Sequence, residues 1–194
     1  MPKILEVIRN ANPDILGIQE AYLWQLDNQA IARQVATDLG MNYFIGESGA
    51  NGAHVVLFTR FQIVKAENYP TYFSELNPRG ALHAEVVTRS GQKIHVFVVH
   101  LKMGETDVSI LLDMVNPYLD DNTVLMGDMN FVDPSGPASL LHKAGWLHPL
   151  REQQGIDQIW VSAALAGNVQ PAPPVAGKLT AGASDHSPVV VRIE

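Results

Sequence analysis

The stretch Val124-Leu125-Met126-Gly127-Asp128-Met129-Asn130 constrains this chain more than any other. A short apolar run reaches a glycine, and two polar residues then stand two positions apart. Read as a strand, the run sends Asp128 and Asn130 to one face just past its end, because side chains alternate with period two. A carboxylate and a carboxamide placed in this way can orient one water and one phosphate or carbonyl oxygen. The same residues also suit a plain strand end closed by an Asx-turn, which Gly, Asp and Asn all favour. Within this stretch both readings stand, and the remaining segments decide between them.

The pattern of an apolar run stopped by a chemically versatile side chain recurs along the chain. A helix over Ile4–Ala11 is broken at Asn12-Pro13-Asp14. The apolar run Ile15–Ile18 follows, without alternation, as expected of a strand covered on both faces, and it ends at Gln19-Glu20. A second helix is expected over Trp24–Leu39, with Leu23, Leu26, Ala30/Ile31, Val35 and Leu39 at helical spacing and Gly40 as its stop. Trp24 and Leu26 read as packing residues. Strands are expected at His54–Thr59, Ala81–Thr88 and Lys93–Leu101, the last two joined by a turn at Arg89-Ser90-Gly91-Gln92. In the third of these, Ile94, Val96 and Val98 share one face and His100 continues it. The segment between Tyr69 and Arg79 reads as a long surface loop forming one wall of a cleft.

Beyond Leu101, a third helix spans Asp107–Leu119, a strand Thr123–Asp128, and a short helix Pro137–Ala144 stopped by Gly145. His142 and His148 look like surface residues. The strand within Gly155–Ser162 opens with Asp157 on the face that Ile159 and Val161 bury. An irregular Pro/Gly/Ala-rich loop over Ala163–Ala183 delivers Ser184-Asp185-His186-Ser187-Pro188 to a last strand at Val189–Ile193.

Composition narrows what this arrangement can serve. With 194 residues, 46% of them hydrophobic and 17% charged, the chain fits one globular domain over residues 1–194. The absence of cysteine excludes disulfides, thiolate metal sites and a cysteine nucleophile. Thirteen basic against twenty acidic residues leave a net charge of −7 with no run of Lys or Arg. Bulk nucleic acid, which needs a basic surface to displace counterions, is therefore disfavoured. A small or metal-bridged anion is not. No apolar run reaches the length of a membrane span, and the N-terminus has no signal-peptide pattern, so the compartment stays open between cytoplasmic and, were the N-terminus trimmed, secreted.

Glu20, His100, Asp128, Asn130, Asp157, Asp185 and His186 all fall at or beside an end of an expected strand. Strand ends of one packed core converge, whereas scattered surface residues would not hold this placement. Carboxylates with two histidines and an amide suit an oxygen-liganded Mg²⁺ or Mn²⁺ together with acid–base chemistry.

The ordered set Pro13-Asp14-Ile15-Leu16-Gly17-Ile18-Gln19-Glu20, Val99-His100-Leu101, Gly127-Asp128-Met129-Asn130, Asp157-Gln158-Ile159 and Ser184-Asp185-His186-Ser187-Pro188-Val189 resembles the endonuclease/exonuclease/phosphatase superfamily, with its deoxyribonuclease-like and sphingomyelinase-like members. The segment Gly52–Ile63 is similar to that family's strand and turn. The resemblance implies an α+β fold, a four-layer α/β/β/α sandwich of two mixed sheets packed face to face, here N-terminally shortened. It implies a Mg²⁺- or Mn²⁺-dependent hydrolase of phosphate esters, a phosphodiesterase or a nuclease/phosphatase. Its substrate would be a small molecule, a phospholipid head group or a nucleic acid. By the same resemblance Glu20 binds the metal with Asp185 near it, and His186 is a general base or phosphate contact held by Asp157. Asp128 orients or deprotonates water, Asn130 donates to a phosphate oxygen, and His100 contacts phosphate or helps the leaving group.

Family members usually begin with a strand that carries an asparagine, and this chain enters a helix almost at once. Two expectations follow. The sheet either closes by pairing Ile15–Gln19 with another strand of this chain, such as Val189–Ile193, or keeps an open edge through which the chain self-associates. The alternative to an enzyme is a weak or inactive member that serves as a binding domain.

Overall fold

The computed structural model describes residues 2–48, 52–69, 79–102, 104–173 and 184–194. In chain order its elements are α1 (Pro2–Ala11), β1 (Ile15–Tyr22), α2 (Leu26–Leu39), β2 (Asn42–Gly46), β3 (Ala53–Thr59), β4 (Gln62–Tyr69), β5 (Ala81–Val87) and β6 (Lys93–His100). They continue with α3 (Glu105–Val115), β7 (Thr123–Asp128), α4 (Gly136–Lys143), β8 (Asp157–Val161), β9 (Val169–Pro171) and β10 (Val191–Ile193). Two main sheets result, an antiparallel one in the order β1-β3-β2 and a mixed one in the order β4-β5-β6-β7-β8. No helix among the described residues is long and apolar enough to cross a membrane.

Period-two alternation divides the strands between three buried clusters. Val55 and Leu57 of β3 join Leu82, Val96, Val98, Val124 and Ile159 of the larger sheet in one cluster. The intervening Val56 and Phe58 pack with Leu5 of α1 and with Ala32, Val35 and Ala36 of α2. On the larger sheet, Phe97, Val99, Leu125 and Trp160 pack with Val108, Leu111, Ala138 and Leu141 of α3 and α4. Gly17 lets β1 approach the other sheet, since a Cβ there would stand 2.9 Å from Met126 Sδ and 3.1 Å from a Val98 methyl.

Several expectations need correction. Leu26 and Ile31 are exposed, and α2 instead buries Ala32, Val35 and Ala36. Asp27, Asn28 and Gln29 take left-handed φ values of 49, 54 and 60°, which breaks the helical count carried back from Val35. Trp24 is buried as expected, edge-on to Phe58, and Gly40 caps the helix at φ 65°. The third helix ends at Val115 and passes into a 3-10 turn over Asn116–Tyr118, where Pro117 cannot continue the ladder. β2 and the edge strand β4 have mixed burial and gave no clean alternation.

Within the loop expected over Ala163–Ala183, β9 pairs antiparallel with β10, so the last strand does not close against β1. Among the described residues β1 pairs with β3 alone, and its other edge has no strand beside it. Of the surface loop expected between Tyr69 and Arg79, residues 70–78 lie outside the described residues, as do 174–183 of the later loop.

His142 and His148 are not free surface residues. His142 Nε2 and His148 Nδ1 bond the same Asp133 oxygen at 2.8 and 3.1 Å, and His148 stacks on Trp160. Asp133 is buried, and a desolvated carboxylate is tolerated only with donors around it. Burial pushes its carboxyl up, but the two imidazoles outweigh that and hold it below its ordinary value.

A second buried histidine makes the fold sensitive to acid. His83 of β5 stacks on Phe97, and its Nε2 meets His95 Nδ1 at 3.0 Å. Burial, then the neighbouring His95, lower its pKa from 6.5 to about 4, while Glu67 and Glu85 pull the other way. Between these two values the unfolded chain binds more protons than the folded one. The contribution is therefore complete above pH 6.5 and is lost as pH falls towards 4. The expected loss from this group is about 2 kcal/mol by pH 5. Urea unfolding at pH 7 and pH 5 checks it: His83→Phe should remove that part of the difference, and an unchanged difference would clear His83.

Candidate active site

Three neighbouring strands set three of the expected side chains in a row. His100 lies opposite Asp128 across β6 and β7, and Asp128 lies opposite Asp157 across β7 and β8. β6 and β7 run parallel and finish here, while β8 runs back and starts here. Two strand ends and one strand start therefore meet about 4.8 Å apart from strand to strand. Each residue continues the face that packs between the sheets, through Val96 and Val98, Val124 and Met126, and Ile159 and Val161. Gly127 precedes the row at φ 147°, where any Cβ would run into the Val99 carbonyl, so only glycine lets the strands close.

Hydrogen bonds fix the chemistry of the row. Arg79 Nη1 lies 3.0 Å from His100 Nδ1. A guanidinium only donates, so His100 Nδ1 holds a lone pair and its proton sits on Nε2. That nitrogen lies 3.3 Å from Asp128 Oδ2, on a buried ring. Burial raises the Asp128 pKa, but the His100 bond, the Asn130 N–H and the nearby His186 outweigh it and leave the carboxyl below its ordinary value. On the other side of the row His186 Nδ1 bonds Asp157 Oδ2 at 2.7 Å. Burial lowers the His186 pKa, yet Asp157 and then Asp128 outweigh it, so the imidazole is held above its ordinary value. Asp157 is pushed up, chiefly by burial, against the pull of His186.

The other expected residues sit differently. Asn130 has φ 54°; its N–H bonds Asp128 Oδ1 at 2.9 Å and its Nδ2 donates to the Leu101 carbonyl at 2.7 Å. The Asx-turn and the site are thus one structure, with one amide hydrogen left over. Glu20 falls at an irregularity of β1 with φ 55°; its carboxylate is 70% exposed and its described partner is Arg79 at 3.8 Å. Asp185 is exposed and raises the His186 pKa by its charge. No hydrogen bond or ion pair among the described residues joins Asp185 to Glu20.

Arg79 is the residue that sequence reading missed. The His100 N–H bonds the Gly80 carbonyl at 3.1 Å, which draws Arg79 to the row, and its buried Nε has no hydrogen-bond partner among the described residues. The one local signal was its place between Pro78 and Gly80, directly before a strand.

The donor set suits a hard divalent ion, being mostly carboxylate oxygen. One ligand atom each of Asp128, Asp157 and His186 lie within 4.8 Å of one another. Those groups are already tied by hydrogen bonds, whereas Glu20 holds only a long ion pair among the described residues.

The endonuclease/exonuclease/phosphatase family model matches residues 2–186. Comparison with curated proteins finds no match. Among solved structures, the catalytic domain of human Nocturnin is 17% identical with a TM-score of 0.68, over 88% of this chain and 75% of that one. A family protein from Beutenbergia cavernae is 17% identical with a TM-score of 0.71, over 99% and 66%. TDP2 of D. rerio, complexed with a single-strand DNA product, is 17% identical with a TM-score of 0.64, over 89% and 82%.

Proposed function

Because the chain belongs to the endonuclease/exonuclease/phosphatase family, we propose that it hydrolyses phosphate esters, phosphodiesters above all, with Mg²⁺ or Mn²⁺. The observation that carries this reading is the cross-strand row His100–Asp128–Asp157, extended by Arg79 at one end and His186 at the other. The three clusters that alternate with the two sheets support a four-layer α/β/β/α sandwich in one domain over residues 1–194.

Phosphodiester hydrolysis needs an in-line water, a sink for charge on the equatorial oxygens and a proton for the leaving alkoxide. Asp128, ionised and held by His100, orients the water and takes its proton as the new P–O bond forms. His186, its pKa raised by Asp157, gives a proton to the leaving oxygen as the old P–O bond breaks. The free donors of Arg79 and the remaining amide hydrogen of Asn130 take the equatorial oxygens. His100 positions Asp128 and Arg79. Glu20 and Asp185 would hold the metal, which when bound neutralises phosphate oxygens. The human Nocturnin structure contains a bound sulfate, a tetrahedral oxyanion like the group assigned to this site.

The test is release of p-nitrophenol from bis(p-nitrophenyl) phosphate with and without Mg²⁺, followed by a panel of DNA, phospholipid head groups and inositol phosphates. Metal-dependent turnover is expected. Metal binding with no turnover on any of these overturns the enzyme reading in favour of a binding domain.

A further inference from the structure

Asn130 and Asp157 stand on different segments, and one buried amide ties those segments together. Gln158 follows Asp157 in β8 and points to the opposite face, where Met129, Phe131 and Trp160 pack. Its side chain is fully buried. Nε2 donates to the Phe131 carbonyl at 2.6 Å and to the Gly155 carbonyl at 3.0 Å, and Oε1 accepts from Trp160 Nε1 at 2.8 Å. An indole N–H only donates, so the atom it meets is the amide oxygen, and both amide hydrogens fall on carbonyls. Phe131 directly follows Asn130, and Gly155 stands two residues before Asp157. The Met129 N–H adds a bond to the Ile156 carbonyl at 2.9 Å.

A wholly apolar side chain would fill this space without the cost of desolvating an amide. What the amide adds is direction, because a buried polar group with its bonds made fixes one arrangement of the groups around it. Here those groups are the turn that presents Asn130 and the segment that leads into Asp157. Other bonds fasten the same loop at its two ends. Asn130 holds Asp128 Oδ1 and the Leu101 carbonyl, and Asp133 is held by His142 and His148. Between those anchors, Gln158 holds the Phe131 carbonyl.

We propose that Gln158 is a positioning residue for phosphate-ester hydrolysis. Its amide sets the spacing between Asn130, a donor to phosphate oxygen, and Asp157, the carboxylate that holds His186. This rests on the phosphoesterase reading above. Gln158 itself reaches neither substrate nor metal, being buried on the face of the sheet away from the row. It acts through the alignment of groups that bind and protonate in the transition state, where a misplacement of about 1 Å costs about 10²-fold in rate.

Steady-state kinetics on methyl p-nitrophenyl phosphate in Mg²⁺ compares the wild type with Gln158→Met, Gln158→Glu and Trp160→Phe. Gln158→Met keeps the volume and removes all three side-chain bonds. Gln158→Glu keeps the bond to Trp160 and offers at most one hydrogen to the two carbonyls. Trp160→Phe loosens the same cluster but leaves both carbonyl bonds in place. Gln158→Met should lower kcat by about 10–100-fold with KM within about threefold, and Gln158→Glu should fall between it and the wild type. Trp160→Phe should lower the unfolding temperature yet keep kcat within about threefold of the wild type. Near wild-type kcat in both Gln158 variants, or losses that follow the unfolding temperature across all three, overturn the proposal. If Gln158→Met does not fold, Gln158→Glu against Trp160→Phe decides. The NMR signals of the Asn130 side-chain amide, identified by their loss in Asn130→Asp, report on the turn without any turnover. They should shift further in both Gln158 variants than in Trp160→Phe. An active wild type whose Asn130 signals do not respond to Gln158 removes the positioning role alone. A wild type with no turnover removes the catalytic reading, and the Asn130 signals then decide whether Gln158 sets the turn.

Discussion

His186→Ala is expected to lower kcat on a phosphodiester by about 10²–10⁴-fold, the range lost when a positioned acid–base group is removed. Three observations set that size. The ring is 38% exposed, its Nδ1 is fixed on Asp157 at 2.7 Å, and Asp157 and Asp128 together raise its pKa against the pull of burial. In the proposed mechanism its Nε2, which has no partner among the described residues, supplies the proton for the leaving oxygen. Asp157→Asn should lose most of the same activity, because an amide removes the charge that steadies the imidazolium. KM should move only a few-fold in both variants, since neither group is assigned to ground-state binding. Steady-state kinetics on both variants checks this, with circular dichroism to confirm folding. An Asp157→Asn protein at near wild-type rate would reduce Asp157 to a strand-end residue.

Removal of divalent metal is expected to abolish turnover altogether, and either Mg²⁺ or Mn²⁺ to restore it. Glu20 is an exposed carboxylate whose one ion pair among the described residues is the 3.8 Å contact with Arg79. Glu20→Gln should weaken Mn²⁺ affinity by about 10–100-fold, since it takes a formal charge from a hard-ion site. Mn²⁺ titration followed by electron paramagnetic resonance reads this without reference to activity. Full turnover in excess chelator would sink the metal assignment, and unchanged Mn²⁺ affinity in Glu20→Gln would move the ion towards Asp128 and Asp157.

Local periodicity determined a good part of this protein. Alternation along Ile94–His100 and Asp157–Val161 put His100 and Asp157 on apolar faces at strand ends, and the structure keeps both there; Asp128 was legible only as a strand-end residue, and its buried face is seen in the structure. Gly40 stopped α2 for the reason its sequence suggests, a left-handed cap that glycine adopts freely. These are consequences of side-chain direction and backbone sterics within a few residues, and a sequence carries them whatever its surroundings.

Alignment between strands was decided only in three dimensions. Nothing local sets His100 level with Asp128 and Asp128 level with Asp157; that register comes from packing the faces of three strands into one cluster. Arg79 enters the site because Gly80 pairs with His100, 20 residues further on. His142 and His148 are drawn inward by Asp133, a buried charge that must collect donors from wherever the chain can bring them. Leu26 lost its place in the core when three left-handed residues broke the helical count. Side-chain direction repeats along the chain and is readable from it, whereas register and the satisfaction of buried polar groups depend on partners far away in sequence, which only the folded structure selects.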